Sequence, residues 1–150
     1  MNAVLLRWPS PVLSPNARAH YMTKHRATRS YRQTTCIMGR GQKRLQNPAC
    51  AILPLVATRR RRDLDNVLAS LKSALDGLTD AGWWDDDHKI AGYHLVPEIH
   101  CKELAENRIV ILAVEVEDMP AMTEAVTMFR SACLAGNAAN AARDLLGVML

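Results

Sequence analysis

Apolar positions in this 150-residue chain fall into short runs whose spacing changes from segment to segment. Val4–Trp8 predicts a first strand, and a proline-rich stretch through Ser14-Pro15-Asn16 ends it, because proline fixes φ and removes a backbone donor. Residues 17–47 are basic and polar; a helix is predicted around Ser30–Met38, with Gly39 and Gly41 breaking its continuation. Ala49–Thr58 is apolar and partly β-branched, as a buried strand would be, and Pro54 within it predicts a place near an edge or a bulge. The period then becomes helical. Val67, Leu68, Leu71, Ala74, Leu75 and Leu78 mark one helix over about Val67–Ala81, with Asp65 or Asn66 as N-cap and Gly82 as stop. Ala91–His100 and Arg108–Glu117 predict an antiparallel strand pair joined by Lys102–Asn107. After Asp118 the composition shifts: Met119–Ala135 predicts an amphipathic helix with Pro120 in its first turn, and Ala138–Leu146 another short one.

Length fits one domain able to bury a core, and an apolar content near half argues against global disorder. The net charge of +4 hides a sharp division. Residues 1–62 hold thirteen of the nineteen Lys and Arg and no acid, whereas residues 63–150 hold six Lys and Arg against all fifteen acids. A basic half suits nucleic acid or a solvated surface, and charge alone leaves these even. Cys36, Cys50, Cys101 and Cys133 form no CxxC, so reduced thiols in a cytoplasmic protein fit better than a zinc site or disulfide framework. Neither a signal peptide nor an apolar run of membrane-spanning length is evident.

The chemistry concentrates where the two halves meet. Arg59-Arg60-Arg61-Arg62 runs directly into Asp63-Leu64-Asp65-Asn66. In an extended strand, carboxylates at i and i+2 project together and call for a cation, most simply Mg²⁺. The arginines suit a phosphate backbone. A metal-dependent phosphodiesterase needs carboxylates from different elements, and Asp85-Asp86-Asp87 after the predicted helix could supply them. Taken singly, Asp65 reads better as a cap and Asp85–Asp87 as a solvated acidic loop; the two clusters together, beside an Arg run, are what favour a metal site. Lys72 follows Asp65 by seven residues, nearly two helical turns, so it shares a face with the helix start. It could bind a phosphate or be a solvated cation. His20, His25, His88, His94 and His100 lack metal-ligand spacing; His88, beside Asp87, is the best placed to support a site.

Arg-Arg-Asp63-Leu-Asp65-Asn66, Lys72, Leu75-Asp76-Gly77-Leu78, Ala81-Gly82-Trp83-Trp84 and Asp86-Asp87 together resemble the core of the RusA-type Holliday junction resolvases, with Ser14-Pro15-Asn16 and Tyr21 similar to that family's opening. The resemblance is densest over residues 59–90. It implies an α+β fold, a small mixed β-sheet with helices packed on it, spanning residues 1–118. Residues 119–150 form a helical extension that the compact family core does not need, and that could widen a dimer interface, cover a sheet face or bind a partner.

The resemblance further implies a homodimer that resolves four-way DNA by paired symmetric nicks. Asp63, Asp65 and Asp87 hold Mg²⁺ and activate water, and Lys72 assists at the phosphate. Arg59, Arg60, Arg61, Arg62 and Asn66, with Asn16, Lys24 and Arg26 of the basic segment, track the DNA backbone. In the family pattern the lysine follows the second aspartate by four residues, where this chain has Ala69; counting back from Gly82 restores Lys72 and implies three extra residues early in the helix. The rival reading is a non-catalytic branched-DNA-binding protein whose acids cap helices and pair with arginines. A DxD phosphotransferase or dehalogenase-type phosphatase fits less well, because Arg59–Arg62 separates the motif from its strand and no Gly-rich phosphate loop is present.

Overall fold

A computed structural model describes residues 1–58 and 62–147. Strands β1 (Asn2–Arg7), β2 (Pro48–Val56), β3 (Gly92–Leu95), β4 (Ile99–His100) and β5 (Arg108–Glu115) make one mixed sheet in the order β1-β5-β2-β3, and β4 also pairs with β2. Helices α1 (Tyr21–Gly39), α2 (Leu64–Ser70), α3 (Lys72–Asp80), α4 (Met119–Leu134) and α5 (Ala138–Ala141) complete a mixed α+β fold. Among the described residues no helix is long and apolar enough to cross a membrane.

The two central strands explain the layering. β2 and β5 are apolar on both faces, as strands covered on both sides must be. Cys50 and Ile52 of β2, with Ile109, Ile111 and Ala113 of β5, pack against Val67, Leu71, Leu75 and Leu78 of α2 and α3 and against both tryptophans. Ala51, Leu53 and Leu55, with Val110, Leu112 and Val114, form the opposite core. There α4 presents Met122, Val126, Phe129 and Cys133, the spacing of one helical stripe. Of the roles open to the extension, covering a sheet face is the one seen. The Sγ atoms of Cys133 and Cys101 lie 3.2 Å apart in this layer, both as free thiols. The Glu103 carboxylate accepts from the N–H groups of Ala138 (3.3 Å) and Ala139 (3.2 Å) at the start of α5.

Several expectations are corrected. β2 is central, with Pro54 opposite Ile109 of β5. The proline is tolerated because its missing N–H falls between β3, which pairs with residues Ala49–Ile52, and β4, which pairs from Leu55 onward. β3 and β4 run parallel to β2, so they do not form an antiparallel pair with β5; each flanks β2 on the side away from it. α1 begins nine residues before the predicted Ser30, capped by His20 Nδ1, which accepts from Met22 N–H (3.3 Å). Its first two turns are exposed and carry no apolar stripe for periodicity to detect.

The single helix predicted over about Val67–Ala81 starts earlier, at Leu64, and is broken at Leu71 (φ −89°, ψ −3°). Leu71 N–H is shared between the carbonyls of Leu68 and Ala69, a tightening that ends one helix before the next begins. The break thus falls early in the predicted helix, where the three extra residues were inferred. It is invisible to periodicity because Val67, Leu71, Ala74 and Leu75 continue the same apolar stripe through it.

α1 and α3 meet at Gly77. A Cβ there would clash with the Arg32 carbonyl oxygen and stand 3.0 Å from Thr35 Cβ. Bidentate pairing of Arg32 with Asp80 (2.6 and 2.7 Å) clasps the same two helices. Gly77→Ala is expected to destabilise the protein by about 1–3 kcal/mol, because the obstacle is backbone that cannot rotate away. Thermal unfolding of the variant would reveal this, and an unchanged Tm would show that α1 and α3 can separate freely.

Candidate functional site

Asp63 closes the connection from β2 to α2 as the N-cap, its Oδ1 accepting from Asp65 N–H (3.1 Å). Asp63 is extended and Asp65 lies in the first helical turn, so the two do not alternate along one strand as the i, i+2 argument assumed. The cap thus lies two residues before Asp65 and three before Asn66, the expected positions, because the Asp63 carboxylate already takes the free Asp65 N–H. The other Asp63 oxygen accepts from Asn66 Nδ2 (2.9 Å), and Asn66 Oδ1 accepts from Asn16 Nδ2 (3.3 Å). Asn16 and Asn66, singled out from separate parts of the chain, therefore meet at Asp63. This wall continues through Trp8 and Ser70 into a cleft of about 440 Å³.

Arg62 also lines that cleft. Its guanidinium lies 5.2 Å from the centre of the Trp8 ring and 3.5 Å from Glu98 Oε1, so stacking and charge together hold the head group in place. Arg59, Arg60 and Arg61 lie outside the described residues. Lys24 and Arg26 are exposed on the first turns of α1.

Beyond the break at Leu71, Lys72 opens α3. Its ammonium donates to an Asp87 carboxylate oxygen and to Asp76 Oδ1 (3.0 Å). The Lys72 side chain is 63% exposed, whereas Asp76 and Asp87 are each under a third exposed. Asp87 first, and Asp76 second, raise the Lys72 pKa above the ordinary lysine range, because both carboxylates bond to its charged form. The i, i+4 spacing of Lys72 and Asp76 is visible in the sequence, where Asp76 stands within the Leu75-Asp76-Gly77-Leu78 motif but not among the expected site residues.

The acidic run after α3 separates into three roles. Asp85 pairs with Arg44 and with Lys89 (3.0 Å). Asp86 accepts from His88 N–H (3.1 Å) and meets His88 Nδ1 at 2.9 Å, which hold its carboxyl down at about 2. Only Asp87 of the three pairs with Lys72. His88 thus supports Asp86 rather than Asp87. The loop is anchored by Trp83, whose indole N–H donates to the Gly39 carbonyl (2.7 Å), and by Trp84, whose indole N–H donates to Thr79 Oγ1 (2.8 Å). Gly82, at φ +87°, supplies the left-handed turn that brings this loop back.

The structure therefore arranges two polar clusters around the α2–α3 junction: Asp63, Asn66 and Asn16 on one side, and Lys72, Asp76 and Asp87 on the other. The carboxylates of Asp63, Asp65, Asp76 and Asp87 are the oxygen donors that a hard divalent cation takes. Among the described residues, no three His, Cys, Asp or Glu side chains gather into a metal-holding group. In this structure the Lys72 ammonium supplies the positive charge between Asp76 and Asp87, and hydrogen-bond donors satisfy Asp63.

No protein-family model matches the chain. An uncharacterized protein of Xylella fastidiosa (strain Temecula1 / ATCC 700964) is 38% identical over 93 residues, covering 57% of this chain and 61% of that protein. The crossover junction endodeoxyribonuclease RusA of Escherichia coli (strain K12) is 53% identical over 38 residues, 25% of this chain and 29% of the enzyme, and that of Shigella sonnei (strain Ss046) matches to the same extent. The chain spans about three-fifths of the first relative and under a third of the others. It is thus similar to RusA over a short, well-matched stretch, and over a longer one to a protein of unassigned activity.

Proposed function

We propose that this protein is a Mg²⁺-dependent, structure-selective endodeoxyribonuclease that nicks four-way DNA symmetrically as a homodimer, with residues 1–118 as the nuclease portion and 119–150 as its helical extension. The observation that carries the proposal is Lys72, held by Asp76 and Asp87 just beyond the helix that begins at Asp63 and Asp65. Partial similarity to RusA supports it. Asp63, Asp65 and Asp87 would hold Mg²⁺, which when bound supplies a nucleophilic hydroxide and offsets charge on the phosphate. Asp87 orients the Lys72 ammonium, and Asp76 fixes it from the same helix. Lys72 carries positive charge toward the phosphate oxygens. Asn66 and Arg62, which line the cleft beside Asp63, and Asn16, which is bonded to Asn66, would position the strand, as would Lys24 and Arg26 on α1 and the Arg59–Arg61 run. Such contacts orient DNA without reading its sequence, so substrate choice would follow from junction shape.

A second reading, a branched-DNA-binding protein that does not cut, draws on Asp63 serving as a helix cap. A synthetic four-way junction labelled on each strand separates the two. With Mg²⁺, wild type is expected to release paired symmetric nicks, and Asp65→Asn to bind the junction without cutting it. Equal cutting by Asp65→Asn would reject the carboxylate assignment. Binding without nicks by wild type would favour the second reading.

A further inference from the structure

We propose that a notch between α1 and the α2–α3 junction binds a second phosphate group, the phosphodiester next to the one that is cut. The notch measures about 250 Å³ and is walled by Lys24 and Thr28 of α1, by Ser70, Ser73 and Asp76 across the helix break, and by Pro15. Ser73 carries the argument. It is 94% buried by its 6% relative exposure, and its Oγ has no hydrogen-bond partner among the described residues. Other helical hydroxyls here are satisfied locally: Ser70 Oγ donates to the Asn66 carbonyl (2.7 Å), Thr79 Oγ1 to Leu75 (3.2 Å) and Thr35 Oγ1 to Tyr31 (2.9 Å). The equivalent carbonyl for Ser73 is that of Ala69, which lies on the far side of the break at Leu71, and Ser73 Oγ makes no bond to it. A buried hydroxyl with an unused donor is costly unless something accepts from it.

The charge of the notch identifies the acceptor. Lys24 pairs with no carboxylate among the described residues, and Asp76 is matched by Lys72 at 3.0 Å. A free ammonium beside an unused hydroxyl donor suits an anion rich in oxygens, which is a phosphate group. Ser70 lines both this notch and the cleft beside Asp63, so one strand could engage the two in succession. That the phosphate belongs to DNA rests on the proposed nuclease reading; free phosphate shares the same chemistry.

Wild type, Ser73→Ala and Lys24→Ala are compared by thermal unfolding with and without inorganic phosphate, and by four-way-junction binding in EDTA across a salt series. Ser73→Ala is expected to melt at or above the wild-type temperature, since it removes an orphaned hydroxyl, while binding the junction about tenfold more weakly. Lys24→Ala should lower the slope of log affinity against log salt by about one. Junction affinity and salt slope unchanged in both variants, with wild type still nicking, would overturn the notch and leave the nuclease reading standing. Weakened binding in both variants, with no nicking by wild type, would uphold the notch and remove the nuclease reading. Phosphate raising the Tm of wild type alone, with junction affinity unaltered, would assign the notch to free phosphate and overturn its DNA role.

Discussion

Lys72→Ala is expected to reduce junction nicking by about 10²–10³-fold, the loss typical when a group that stabilises developing charge is removed from an active site. Folding should survive, because the side chain is 63% exposed and contributes little to the core. What changes is local. Asp76 and Asp87 lose the ammonium that both bind, and like charges are left facing one another. Junction binding in EDTA should therefore remain near wild type while the cleavage rate falls. The same contacts determine the pH response. Because Asp87 and Asp76 raise the Lys72 pKa, the charged form persists to higher pH than in a free lysine, whose ordinary value is about 10.4. The pH–rate profile of wild type should show no alkaline loss from Lys72 below that value. An activity decline as pH rises past neutrality that vanishes in Lys72→Arg would show that the Lys72 pKa is lowered rather than raised, and would contradict this reading.

Phe129→Ala should cost about 3–5 kcal/mol, a large part of the roughly 5–15 kcal/mol that stabilises a typical domain. Phe129 is fully buried in α4, in one cluster with Leu53 of β2 and Val110 and Leu112 of β5. Truncation leaves a cavity behind the two central strands whose opposite face carries α2 and α3. At about 2–4 °C per kcal/mol for a chain of this size, Tm should fall by roughly 10 °C. Circular dichroism on heating measures this. Near-wild-type melting would mean that the extension adds little to the core. Cleavage below the new Tm should stay close to wild type, since Phe129 touches neither polar cluster.

Much of the fold was legible where one pattern had one physical meaning. β1, β2 and β5 follow from apolar runs, and α4 from its single stripe between Pro120 and Gly136. The first half of α1 was not legible, because a helix lying exposed on the surface needs no apolar period. Strand partners were not legible either: β3 and β4 are short segments on one side of β2, and nothing in their residues states which neighbour they take. For the site, the pairing of Lys72 with Asp76 is written in an i, i+4 spacing. Its pairing with Asp87 spans fifteen residues and depends on the turn at Gly82, so only a family resemblance could point to it. Ser73 gave no sequence signal, since whether a helical hydroxyl finds a partner depends on the packed structure around it.

The convergence of Asp63, Asp65 and Asp87 on one divalent ion is the central claim, and a crystal of the protein grown with Mn²⁺ tests it most directly. An anomalous peak contacted by Asp87 together with Asp63 or Asp65, within one protomer, is the expected result. A Mn²⁺-saturated crystal with Lys72 still bound to Asp87, and with no ion shared between Asp87 and the Asp63/Asp65 pair, would contradict the hydrolytic account.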